Sequence, residues 1–78
     1  MTCIATCFSH FGAIRFMRFC GEQGWTARAM PVPRDLSSSC GTCVRYEGEC
    51  PDDPPEEIEQ IVELTGNGYC PLYRAQGS

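Results

Sequence analysis

Cys40-Gly41-Thr42-Cys43 places two thiols three residues apart, and five more cysteines, Cys3, Cys7, Cys20, Cys50 and Cys70, are spread along a chain of 78 residues. A thiol does chemistry as its thiolate, which attacks electrophilic sulfur, pairs with a second thiol or ligates a soft metal. In a short secreted chain this cysteine density would read as a disulfide scaffold. Here the count is odd, and residues 1–14 lack a basic leader and carry Ser9, His10 and Gly12, a poor match to a signal peptide. The chain is therefore expected to be cytoplasmic, where such cysteine usage points to redox, sulfur-transfer or metal chemistry.

The rest of the composition removes competing chemistries. All six basic residues are arginines, so a phosphate-loop lysine, a Schiff-base lysine and a lysine general base are excluded together. One histidine and no glycine-rich phosphate loop argue against a hydrolase or a nucleotide enzyme. The net charge is −4 and divides unevenly: residues 1–46 set five arginines against Glu22 and Asp35, whereas residues 47–78 set Arg74 against eight acids. A net acid is a poor nucleic-acid ligand, because that affinity comes mostly from neutralising phosphates. No apolar run approaches the ~20 residues of a membrane-spanning helix, so no membrane partner is expected. At 42% hydrophobic and 21% charged, residues 1–78 read as a single small globular domain.

Two helices are predicted to position the thiols. The first is capped by Ser9 and stops at Gly24, with Ala13, Phe16, Met17 and Cys20 on one face and Arg15, Arg18 and Glu22 on the other. The second is capped by Asp53 with Pro54 at its first position, carries Glu56 and Glu57 in its first turn and ends at Gly66. Ile58, Ile61, Val62 and Thr65 would form its buried stripe, with Glu56, Glu59, Gln60 and Glu63 facing water. Strands are predicted at residues 2–8, 25–32, 42–47 and 69–74. The order strand, helix, strand, strand, helix, strand implies an α+β two-layer sandwich: a ferredoxin-like βαββαβ domain with a four-stranded antiparallel sheet in the order 4-1-3-2. Pro31 and Pro33 fall in the second strand and Pro71 in the fourth, which suits edge positions. This topology gathers Cys7, Cys40, Cys43 and Cys70 at one pole with Ser9 and His10. It puts Cys3 and Cys50 at the other pole and Cys20 between helix and sheet.

Ser9-His10-Phe11-Gly12-Ala13, Met30-Pro31-Val32-Pro33-Arg34 and Ser37-Ser38-Ser39-Cys40-Gly41 occur in this order in the selenium/sulfur (Se/S) carrier protein-like family, which the chain resembles over nearly its whole length. By analogy with TusA-like sulfur carriers, the resemblance implies that Cys40 carries sulfur or selenium as a persulfide or perselenide. It implies a carrier protein rather than a stand-alone enzyme, with a donor such as a cysteine desulfurase and an acceptor protein as partners. TusA-like carriers follow the reactive cysteine with proline at a helix start, where Gly41 stands here, so a TusA-like strand order is the alternative topology.

For Cys40 to serve in this way its thiolate must be accessible. Three serines before it and Gly41 after it favour an open loop, with Ser39 and Gly41 as its immediate supports. The N-terminus of the first helix, His10 and Arg34 could add positive potential, although His10 also fits a plain helix start and Arg34 a solvated loop. Cys43 is either a resolving thiol that attacks a Cys40 persulfide and leaves a disulfide, or a packed strand residue. The carrier reading requires no resident cofactor, since its sulfur or selenium is cargo. The competing reading is a metal-binding or structural interaction module with zinc or an iron–sulfur cluster on Cys7, Cys40, Cys43 and Cys70.

Overall fold

The computed structural model describes residues 1–36 and 38–75. Ser37, the first of the three serines before Cys40, therefore lies outside the described residues, as does the end of the predicted 1–78 domain. β1 (Thr2–Cys7) is an apolar and β-branched run buried on both sides, as suits a central strand. Ser9 then caps α1 (His10–Glu22), its hydroxyl accepting the Gly12 N–H at 3.1 Å. Four strands follow: β2 (Thr26–Pro31), β3 (Thr42–Glu47), β4 (Ile58–Thr65) and β5 (Gly68–Arg74). They form one antiparallel sheet in the order β2-β3-β1-β4-β5.

The sheet thus has five strands and the chain one helix among the described residues, which corrects the expected four-stranded, two-helix ferredoxin-like arrangement. The second predicted helix is β4. Its apolar spacing imitates a helix because of a β-bulge. Thr6 pairs with Gln60 and Cys7 with Ile58, leaving Glu59 as an extra residue. A residue inserted in this way resets the two-residue alternation. Ile58 and Ile61, three apart, consequently face the same side, and Val62 faces the other. Asp53 and Pro54, read as a cap and first turn, belong to the connection before β4.

The edge assignment drawn from the prolines holds, with β2 and β5 outermost. Pro71 lies in β5 and Pro31 ends β2, while Pro33 falls just beyond and opens a turn closed by the Leu36 N–H on its carbonyl at 3.0 Å.

α1 covers one sheet face. Ala13, Phe16 and Cys20 pack there on Cys3, Ala5 and Cys7 of β1, Val44 and Tyr46 of β3, and Ile58 and Ile61 of β4. Trp25 stacks on Tyr46 with ring centroids 5.5 Å apart and extends this core. On the opposite face, Ile4, Cys43 and Val62 are covered by Met30, Tyr69 and, from the β2–β3 connection, Val32 and Leu36. No described helix is long and apolar enough to cross a membrane.

Candidate functional site

The end of β1, the start of α1 and the β2–β3 connection meet at one pole. Cys40 is half-buried there. Its Sγ lies 3.2 Å from the Cys7 carbonyl oxygen and 3.4 Å from that of Thr42, so the thiol proton has two backbone acceptors. Gly41 follows at φ +75°, a conformation that an L side chain adopts only with strain, and its carbonyl accepts the Val32 N–H at 3.1 Å. These features turn the chain sharply from the Cys40 loop into β3. His10 reaches the same turn, with Nδ1 3.1 Å from Thr42 Oγ1.

The loop is fastened from β4. The Glu59 carboxylate accepts the Ser39 backbone N–H at 3.1 Å and the Ser39 hydroxyl at 3.0 Å. It also accepts from Thr6 Oγ1 at 3.5 Å. Ser38 adds a contact to the Cys7 carbonyl at 3.4 Å, and its hydroxyl accepts the Cys40 N–H at the same distance. Glu59 was expected on a solvated helix face. The bulge instead aims it at the loop, as bulges commonly re-aim a side chain. An acid inside an Ile-Glu-Gln-Ile-Val run rich in β-branched residues was the available signal.

Of the expected site residues, Cys40, Cys43, His10, Ser39 and Gly41 come together at this pole. Arg34 sits exposed in the preceding turn and makes no hydrogen bond or ion pair among the described residues.

The thiols of the CxxC pair differ. Cys43 is fully buried, pairs with Thr6 and packs with Ile4 and Val62 on the face away from α1. Burial pushes its thiol up to about 11, with the nearby Cys40 adding to the shift. Cys7, one residue beyond Thr6, faces the helix side, where burial and the nearby cysteines push it up to about 12. Cys7 and Cys43 thus project to opposite faces of the sheet, and Cys40 sits at the sheet end between them.

The four-cysteine metal set is not assembled, because Cys70 is elsewhere. It lies in the row Cys3–Glu63–Cys70, beside the start of β1 rather than its end. With β4 as a strand instead of a helix, one more chain reversal precedes β5, so β5 runs in the same direction as β1 and begins at the far pole. Among the described residues no group of three or more His, Cys, Asp or Glu side chains is placed to hold a metal ion. Cys3 and Cys20 occupy their expected places, the far pole and the helix–sheet core. Cys50 lies close enough to Cys3 to add to the upward push that burial gives the Cys3 thiol.

Residues 2–69 match the family described as "Putative Se/S carrier protein-like". The chain is also similar to the uncharacterized protein YtiA of Escherichia coli (strain K12), at 36% identity over 63 residues, which is 80% of this chain and 69% of that protein. No solved structure matches the chain.

Proposed function

The chain belongs to the Se/S carrier protein-like family, and on that premise we propose that it carries sulfur or selenium on Cys40. The observation that supports this most is the setting of Cys40. It is a half-buried thiol on a loop held by hydrogen bonds from three elements, at the end of the sheet, with open solvent on one side. The exchange needs no external oxidant. The Cys40 thiolate attacks the outer sulfur of a donor persulfide, R–S–SH. The donor S–S bond breaks, Cys40–S–SH forms, and R–S⁻ leaves. An acceptor thiolate unloads the carrier by the same exchange in reverse.

The two carbonyl contacts give this cycle a position change. In the resting thiol the proton points at the Cys7 and Thr42 oxygens. Once the proton is lost, both contacts oppose the negative sulfur, which turns outward to where a donor can reach it. Cys43 takes the packing role in this scheme. With its thiol near 11, only about one molecule in ten thousand holds it as thiolate at neutral pH, too few for an efficient resolving nucleophile.

The test is intact-protein mass spectrometry after incubation with a cysteine desulfurase and cysteine, with metal analysis of the same preparation. The expected result is a gain of one sulfur that Cys40→Ser abolishes and Cys43→Ser retains. Stoichiometric metal with no sulfur uptake would instead favour the metal-binding module.

A further inference from the structure

We propose that the solvent face of α1 from Phe11 to Arg18, with exposed Phe8 just before the helix, is the docking surface for the protein that donates sulfur to Cys40; this rests on the carrier reading above. Among the described residues, the large hydrophobic side chains that remain exposed include Phe8 at 48%, Phe11 at 64% and Ile14 at 53%. Phe11, Ile14, Arg15 and Arg18 follow the i, i+3, i+4, i+7 spacing of one helix face. It is the face turned away from Ala13, Phe16 and Cys20, which bury the other side of α1.

This patch adjoins the thiol. Cys40 Sγ contacts the carbonyl of Cys7, and Phe8 is the next residue. Its other acceptor belongs to Thr42, whose hydroxyl meets His10, and Phe11 is the next residue there. A protein that brings a persulfide to Cys40 must therefore cover this end of α1. Exposed aromatic rings close to arginines are what interface centres favour, and Phe11 and Ile14 exposed one turn apart, with Phe8 exposed just before the helix, are more than a solvated helix needs.

The charge of the face selects the partner. Arg15 lies over the Phe11 ring, 5.6 Å from its centroid, and reaches Glu57 at 3.7 Å. Arg18 engages no acidic group among the described residues. The complementary surface is an apolar recess for Phe11 and Ile14 with a carboxylate placed for Arg18. Two copies of this chain meeting face to face bring no sulfur source of their own to Cys40. A lipid surface offers negative charge but no persulfide at the height of Cys40.

Single-turnover transfer distinguishes these cases. Cysteine desulfurase preloaded with persulfide is mixed with the protein, and the sulfur on Cys40 is followed by mass spectrometry; inorganic polysulfide charges Cys40 in parallel without docking. The double variant Phe11→Ala/Ile14→Ala, and separately Arg18→Glu, should each slow transfer from the desulfurase about tenfold or more, the loss of one interface anchor. Charging by polysulfide should stay within about twofold of wild type, which also reports that each variant is folded, and the Arg18→Glu effect should shrink as salt is added. Variants that accept sulfur from the desulfurase at the wild-type rate overturn the inference. So does a wild type that polysulfide charges and the desulfurase does not. Binding to phosphatidylglycerol vesicles that the substitutions abolish while desulfurase transfer is intact assigns the face to lipid and overturns it too. A wild type charged by neither reagent overturns the carrier reading itself, and this inference with it.

Discussion

Cys40 and Cys70 can both be reached from solvent, yet of the two only Cys40 has hydrogen-bond partners at its sulfur among the described residues. Cys70 stands exposed on the edge strand β5, in a row with Glu63 and Cys3. Cys40 has two carbonyl acceptors and a loop fastened to β4. Accessibility and carrier function therefore separate. In limited iodoacetamide labelling of the folded protein, Cys40 and Cys70 should react first and Cys50, whose thiol burial and Asp52 hold above its ordinary value, more slowly. Cys3, Cys7, Cys20 and Cys43 should react only through unfolding. Peptide mapping over time checks the order; Cys43 labelling as fast as Cys40 would contradict its burial. Cys70→Ser should remove one fast label and leave sulfur loading on Cys40 intact. Gly41 separates the two thiols in another way. Gly41→Ala forces φ +75° on a side chain at a cost of about 1–3 kcal/mol, so the loop should relax and change the Cys40 labelling rate without affecting Cys70.

Glu59 shows how one element builds the site. The bulge in β4 keeps Ile58 and Ile61 together in the core and turns the intervening carboxylate onto Ser39 and Thr6. Glu59→Ala removes a charged acceptor from two Ser39 donors, a loss of about 1–3 kcal/mol, confined mostly to the loop. Hydrogen exchange at the Ser39 amide should accelerate far more than exchange in β1, and equal acceleration in both would mean that the bulge supports the whole sheet instead. A second element contact reverses an ordinary rule. Alanine normally stabilises a helix relative to glycine by about 0.5–1 kcal/mol, but a Cβ at Gly12 would lie 2.5 Å from the Glu57 Cβ. Gly12→Ala should therefore destabilise the protein by about 1–3 kcal/mol, seen as a lower urea midpoint. These same residues mark the limit of what the sequence reveals. β1, α1, β2, β3 and β5 were legible because their apolar and β-branched runs are short and bounded by Ser9, Gly24 and proline signals, although β5 carries an irregularity of its own at Leu72. β4 was not, since the bulge gives a strand the i, i+3 spacing of a helix, and Asp53-Pro54 supplied a plausible cap. The Thr65-Gly66-Asn67-Gly68 stretch, taken as a helix stop, joins β4 and β5 directly, with Thr65 paired to Gly68. The loop around Cys40 was readable from its serines and Gly41, while its fastening to Glu59 was hidden together with β4.

At the scale of the molecule, that one strand decides where the thiols go. Reading β4 as a helix sends Cys70 to the Cys40 pole, and one more chain reversal sends it to the opposite one. What remains in the interior is a set of neutral thiols, and their burial ties stability to pH. Burial raises Cys7 to about 12, and Cys20 and Cys43 each to about 11, from an ordinary value of 9.0. All three are fully protonated in both states at neutral pH, so their contribution to stability is complete there. Above about pH 9 the unfolded chain releases protons that the folded chain still holds, and stability falls until the folded thiols ionise near 11 to 12. Each thiol contributes a slope of about 1 kcal/mol per pH unit across that window, against a total stability of about 5–10 kcal/mol for a domain of this size. Tyr46, also raised by burial, steepens the loss at the upper end. The urea midpoint should accordingly be level from pH 7 to about 8.5, drop steeply between pH 9 and 11, and drop less steeply in Cys7→Ala. A midpoint unchanged to pH 11 would mean that the interior thiols ionise as readily in the fold as outside it, and that Cys7 and Cys43 are open to the solvent from which the packing excludes them.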